Sequence, residues 1–223
     1  MSFRQQKGNM YDWVTHTWNA IKGKCSHDCS YCYMKMWGEL KPLRFDGKEM
    51  NRDLGNGNFI FVGSSTDMWA KDVPDTWISS VLSHCEKHDN RYLFQSKNPD
   101  RFCAFSNIPE NTVFCTTIES NRDYPKISNA PKISKRIDAM LMLYALGYDD
   151  ISITIEPILD FDLLEMIEII KKVKPTWVNI GADSKNHGLP EPEYSKVFDL
   201  INALKEFTEI RKKSNLNRLK RVS

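Results

Sequence analysis

The sequence predicts an α/β domain built on parallel strands, and three features of the chain carry that prediction. Six short apolar runs alternate with stretches of helical periodicity, prolines punctuate the joints, and each run ends in polar residues. Such alternation implies βα units joined by right-handed crossovers. Doubly wound sheets and barrels both satisfy it. In either architecture the functional residues gather at the C-terminal ends of the strands.

The strands are expected over residues 13–18, 59–63, 92–95, 112–117, 151–155 and 177–180. Runs such as FIFV and WVNI are almost wholly apolar, as strands covered on both faces must be. Between them, Asp75 can cap a helix reaching about residue 87, with Trp77, Ile78, Val81 and Leu82 on its apolar side. Ser134 can cap the next, where Ile137, Met140, Leu141 and Tyr144 recur at helical spacing and Gly147 ends the pattern. Residues 162–172 and 193–207 repeat it, and a shorter helix follows Pro99. Pro74, Pro99, Pro157, Pro175 and Pro192 fall at the boundaries, where proline is tolerated.

A chain of 223 residues fits one well-buried domain, and two would be cramped. With 41% hydrophobic and 27% charged residues, the composition is that of a soluble globular protein. No apolar run is long enough to span a bilayer. The start, MSFRQQKGNMYDW, lacks the apolar stretch of a secretory signal, so a cytoplasmic, reducing setting is expected. The net charge of +2 gives no general polyanion-binding signature. Positive charge concentrates at the end, in Arg211, Lys212, Lys213, Arg218, Lys220 and Arg221. We therefore divide the chain into a core, 1–208, and a basic tail, 209–223, read either as a solvated end or as a nucleic-acid contact.

Three of the six cysteines, Cys25, Cys29 and Cys32, crowd into eight residues after the first strand. Such crowding points to metal rather than to a disulfide framework. Three thiolates on one loop can hold three irons of a cubane and leave the fourth open, whereas an electron-transfer cluster takes four cysteines. Zinc is the competing reading, with His27 completing a Cys3His set, although no second cysteine knuckle exists. Cys85, Cys103 and Cys115 are scattered through helix- or strand-like segments.

The C-x3-C-x2-C spacing, with the aromatic Tyr31 directly before the last cysteine, resembles the signature of the radical S-adenosylmethionine (SAM) superfamily. Within it the chain looks most like a small phage-associated group related to spore photoproduct lyase. TWNAIKGKC, FVGSSTDMW, FQSKNPDRF, TTIESN, ITIEPIL and WVNIGADS follow in the order that group shows. The resemblance implies a partial (β/α)6, TIM-like barrel as a single domain. It also implies a 4Fe–4S cluster on Cys25, Cys29 and Cys32, SAM on the open iron, and an electron donor such as flavodoxin or ferredoxin. The reduced cluster then cleaves SAM to a 5′-deoxyadenosyl radical, and the protein positions the cofactor and keeps water away.

Further site residues are expected at the strand ends. Ser64, Ser65 and Asp67 stand where many relatives carry a Gly-Gly-Glu turn that holds the SAM ammonium, and only Gly63 of that turn is kept. Lys97 resembles the lysine that approaches the SAM carboxylate. Thr117 matches a hydroxyl used for SAM, and Glu119, on the same face, is a partner for the ribose or the ammonium. Glu156 ends an apolar strand, where an unpaired carboxylate is expensive, which favours a ligand role, with a structural salt bridge as the alternative. Asn179, Gly181 and Ala182 are candidates for the adenine pocket, with Tyr31 packed nearby. Cys115 is a candidate hydrogen donor to a product radical, against a plain reading as a buried small hydrophobe. His16 and Asn19 are read either as lining the site or as structural.

For the substrate, the basic tail, the absence of a second cysteine cluster and the resemblance favour a modified or damaged thymine-type base in DNA. Such a base must leave the stack to be reached, and rearrangement or lysis follows. A small metabolite or peptide, and a zinc-binding module without catalysis, are the alternatives.

Overall fold

The structure is a computed structural model that describes residues 11–221. Most of the polar N-terminal segment, residues 1–10, on which the reading of an absent export signal rests, lies outside them. Seven parallel strands form one sheet in chain order: β1 (His16–Trp18), β2 (Phe59–Val62), β3 (Arg91–Ser96), β4 (Thr112–Thr117), β5 (Ile151–Ile155), β6 (Trp177–Ile180) and β7 (Glu209–Lys212). Between β1 and β2 a small antiparallel ribbon pairs Ile21–Lys22 with Arg44–Phe45. Four helices link the later strands: α1 (Asp75–Cys85), α2 (Ile133–Ala145), α3 (Leu163–Val173) and α4 (Tyr194–Leu204). A 3-10 turn, Pro99–Ala104, joins β3 to β4.

The two-residue period of the strands sorts their side chains onto two faces. Ile60, Val62, Phe94, Phe114, Ile153, Ile155 and Val178 enter one core together with the buried residues of all four helices. Phe61, Leu93, Val113, Cys115 and Trp177 form a second cluster on the opposite face, with Tyr11 and Val14. The helices therefore cover one face only. A doubly wound sheet needs them on both, so the one-sided layer selects the open, partial-barrel alternative. Each fully buried side chain of that layer, such as Leu82, Met140 or Ile170, contributes about 1.5–3 kcal/mol.

The opposite face is filled in layers. At its floor Tyr11 stacks on Trp13 with centroids 5.0 Å apart, and Trp13 packs against Phe59 at 4.9 Å and Trp177 at 5.3 Å. The Tyr11 hydroxyl then reaches Gln95 Oε1 and Thr154 Oγ1, each at 3.0 Å, so a polar layer overlies the aromatic one. Trp13 belongs to this floor. The first strand is accordingly shorter than the expected 13–18.

Two other differences have clear causes. α1 begins at Asp75 itself behind Pro74, and α2 begins at Ile133, one residue before Ser134. An acid in the first turn of α1 complements the helix dipole without serving as its cap. The tail is a larger departure, because Glu209–Lys212 is a strand and 214–221 a 3-10 segment. Its four residues, EIRK, carry one apolar side chain and so no strand pattern. Backbone pairing to β6 in the register Asn179↔Arg211 holds them instead. Arg211 covers Trp177 at 4.0 Å and Trp13 at 5.1 Å, a stacked guanidinium that seals the floor. Charged residues on an edge strand also discourage pairing with another chain.

Among the described residues no helix is long and apolar enough to cross a membrane.

Candidate active site

The C-terminal ends of the strands converge on a set of polar side chains, beginning with the turn after β2. Gly63 has φ +79°, a left-handed conformation that glycine adopts freely, and its amide bonds Trp18 O at 2.9 Å. Asn19 gathers the turn that follows. Its Oδ1 accepts from Ser65 N at 2.8 Å and Ser65 Oγ at 2.9 Å, and its Nδ2 donates to Ser64 Oγ at 3.1 Å. Tyr33, just past the last cysteine of the cluster loop, donates to Ser64 O at 2.8 Å.

Asp67 fastens the cysteine loop to the sheet. Its buried carboxylate accepts from Ser96 Oγ and Lys97 N at 2.9 Å each, from Trp69 N at 3.0 Å, and bonds His27 Nε2 at 2.8 Å. Burial alone raises its carboxyl, but the bonds from His27, Lys97 and Trp69 outweigh it and hold the group below its usual range. Four such bonds engage the carboxylate within the protein. His27, the histidine of the zinc reading, is thereby joined to Asp67.

A second clamp comes from the loop after β4. Ser30 N bonds Ile127 O at 2.8 Å, and Asn129 N bonds His27 O at 2.8 Å. Ser128 Oγ stands 3.2 Å from Cys29 Sγ. Within the cysteine loop, Asp28 N bonds Cys25 O at 3.3 Å and Cys32 N bonds Cys29 O at 3.1 Å, so two successive turns present the thiols. All three cysteines are free.

As placed, no three His, Cys, Asp or Glu side chains among the described residues stand close enough to share one metal ion. Thiolates on a single zinc all lie about 2.3 Å from it, whereas those on a cubane bind separate irons. Three free thiols on one loop match in number the protein ligands of a cubane whose fourth iron is open.

Beside this loop lies a buried charge cluster. Lys97 Nζ pairs with Glu119 Oε1 at 2.7 Å, and Arg136 Nη1 pairs with Glu119 Oε2 at 2.7 Å. Arg136 also donates to Thr117 O at 2.8 Å. The Tyr31 hydroxyl bonds both Lys97 and Glu119, and the ammonium lies 4.8 Å from its ring centroid. Burial would raise the Glu119 carboxyl, but Lys97 and Arg136 overcome it and hold the group at about 2. Tyr31 is pushed well up, by burial first and by Glu119 second. Lys97, Tyr31 and Glu119 thus meet as one unit, with Thr117 beside them.

A second ion pair stands at the ends of β5 and β7. Lys213 Nζ lies 3.1 Å from Glu156 Oε1, and Asn215 Nδ2 approaches the same oxygen at 3.4 Å. Gly181 lies between them. A Cβ there would come within 2.9 Å of Glu156 Cδ, so a larger residue would push the carboxylate from its present place. Burial raises the Glu156 carboxyl, with Lys213 and then Lys97 among the groups opposing it. Lys97 follows β3 and Glu156 follows β5, the two neighbours of β4, so both ion pairs stand at the same end of the sheet. Asn179, 1% exposed, points its Nδ2 to the same face and has no partner among the described residues.

Cys115 shares a face with Thr117 but lies deeper, wholly buried with Leu93, Val113 and Trp177. Burial pushes its thiol up to about 12. This placement agrees with its plain reading as a small packed side chain.

His27, Gln95, Arg136, Lys213 and Asn215 join the site without having been singled out as ligands of SAM. Arg136 had a signal in the sequence: it sits among Ile133, Ile137 and Met140 on the buried stripe of α2, and a charge on such a stripe implies a buried partner. The others depend on contacts distant in sequence.

No family model and no curated protein matches the chain. Solved structures do. Spore photoproduct lyase complexed with dinucleoside spore photoproduct aligns with a TM-score of 0.57 at 13% identity, over 91% of this chain and 66% of that one. A cysteine-to-alanine mutant of the lyase aligns at 0.64 and 11% identity, over 93% and 80%. Streptococcus suis SuiB bound to precursor peptide SuiA aligns at 0.60 and 8% identity, over 92% of this chain but 50% of its own. The chain thus spans just under two thirds of the first of these and half of SuiB. It has the fold of the radical SAM enzymes.

Proposed function

We propose that this chain is a radical SAM enzyme whose Cys25, Cys29 and Cys32 hold a 4Fe–4S cluster with one iron open to SAM. The observation that carries the reading is the coupling of the cysteine loop to the charged strand ends. His27–Asp67 ties the loop to the start of the Ser96-Lys97 segment, and Tyr31, between two of the cysteines, bonds Lys97 and Glu119. When bound and reduced by a donor such as flavodoxin or ferredoxin, the cluster supplies the electron that cleaves SAM to a 5′-deoxyadenosyl radical.

The protein's own residues bind and orient. Lys97 presents a cation toward a carboxylate, and the bonds of its Nζ to Glu119 and Tyr31 fix where that cation sits. Arg136 keeps Glu119 ionised, so Glu119 serves as a hydrogen-bond acceptor rather than an acid. Asp67 acts on the cysteine loop as a positioning residue, while Ser64 and Ser65 offer hydroxyls at the turn over which SAM would lie. The aromatic floor closes the inner face from below and excludes water.

For the substrate we favour a modified or damaged thymine-type base in DNA, undergoing rearrangement or lysis. The support is the likeness to a lyase solved with dinucleoside spore photoproduct, a likeness of fold at 13% identity. A peptide is the second reading, favoured by the likeness to SuiB bound to its precursor peptide. Deuterium transfer into 5′-deoxyadenosine separates them. Label arriving from deuterated thymine-containing DNA supports the first, and label arriving only from a peptide or free metabolite rejects it.

A further inference from the structure

We propose that Glu156 and Lys213 form a subsite for a zwitterionic α-amino-acid group, Glu156 taking the ammonium and Lys213 the carboxylate. The inference rests on the mouth of the sheet being the reactive site, as proposed above. Lys213 follows edge strand β7 and Glu156 follows β5, so their side chains meet across the end of β6. They can do so because Gly181 carries no side chain.

Glu156 differs from Glu119 in how completely its carboxylate is satisfied. Both oxygens of Glu119 are taken by protein cations, and Tyr31 adds a further bond. Glu156 has Lys213 at 3.1 Å and a long contact from Asn215 at 3.4 Å, both on Oε1. The side chains of Glu156 and Lys213 retain 18% and 14% exposure, so neither is sealed from solvent.

A buried ion pair is matched in charge to a zwitterion. Opening it to admit an ammonium beside Glu156 and a carboxylate beside Lys213 leaves the net charge unchanged. The desolvation of both protein charges has already been met in folding. An anionic ligand on Lys213 would instead leave the Glu156 carboxylate without its cation. One register deeper, the unpartnered Asn179 Nδ2 supplies a neutral donor on the same face.

The group could belong to the methionyl end of SAM or to an amino-acid moiety of the substrate, and the test separates these sources. Anaerobically reconstituted full-length protein is titrated with S-adenosylhomocysteine, its deaminated form, glycine, acetate and methylamine. The wild type is expected to bind glycine at least tenfold tighter than either one-charge analogue, or S-adenosylhomocysteine at least tenfold tighter than its deaminated form. Glu156→Gln and Lys213→Met, checked for folding by circular dichroism, are expected to erase that preference. Loss confined to S-adenosylhomocysteine assigns the subsite to the cofactor, and loss confined to glycine assigns it to the substrate. A wild type that binds zwitterions no better than the one-charge analogues overturns the proposal, as does a preference that survives in both folded variants. Reductive SAM cleavage by the wild type is measured alongside. Cleavage without zwitterion preference sinks the subsite alone, and no cleavage sinks the enzyme reading.

Discussion

Glu119 shows what the strand ends demand of single residues. It is a carboxylate among two buried cations and a phenol, with its acidity set at about 2 against an ordinary 4.5. Since folding lowers its proton affinity, its ionised form stabilises the protein fully above pH 4.5, and that contribution fades as pH falls toward about 2. Denaturation measured across this window is expected to show an acid limb that Glu119→Gln flattens. Glu119→Ala removes the carboxylate and strands Lys97 and Arg136, at a cost of about 3–5 kcal/mol. In calorimetry that is a fall in Tm of roughly 6–20 °C. Gly181→Ala places a methyl 2.9 Å from Glu156 Cδ and is expected to cost about 1–3 kcal/mol by forcing the carboxylate aside. Much of this residue-level picture was legible. Lys97, Glu119 and Glu156 stand where apolar strands end in charge, a pattern visible without coordinates. What they bind was not, since Arg136 and Lys213 reach Glu119 and Glu156 from other elements.

The elements themselves follow from periodicity wherever side chains enter the helix-covered core. β4, β5 and β6 lie where their β-branched and aromatic runs place them, and α3 begins directly after Asp162 as expected. Reading failed where backbone pairing or aromatic stacking substitutes for an apolar pattern. β7 has one apolar residue, Ile210, and exists because β6 offers it a free edge. Trp13 looked like strand and instead packs into the floor. The start of the tail, Glu209–Lys212, is therefore part of the sheet, which yields a prediction for the element. Deleting residues 209–223 uncovers Trp177 and bares the edge of β6, so the truncated chain is expected to lose several degrees of Tm and to aggregate. A truncation that keeps the Tm and solubility of the full chain would show the tail to be a detachable appendage.

For the whole molecule, helices on one face and a layered opposite face leave the strand ends as the place where chemistry can occur. Apolar floor, polar middle and charged rim follow one another along the same strands, and the cysteine loop is bolted to the rim by His27–Asp67. Asp67→Ala is expected to leave the chain folded but to loosen that bolt, lowering the iron retained after reconstitution. The most direct test of the central claim is SAM cleavage by the anaerobically reconstituted, dithionite-reduced protein, with 5′-deoxyadenosine quantified by chromatography. The account predicts a brown protein that forms 5′-deoxyadenosine, and a Cys29→Ala variant that forms none. A wild type that takes up iron and sulfide in cluster stoichiometry, yet leaves SAM intact, would contradict it.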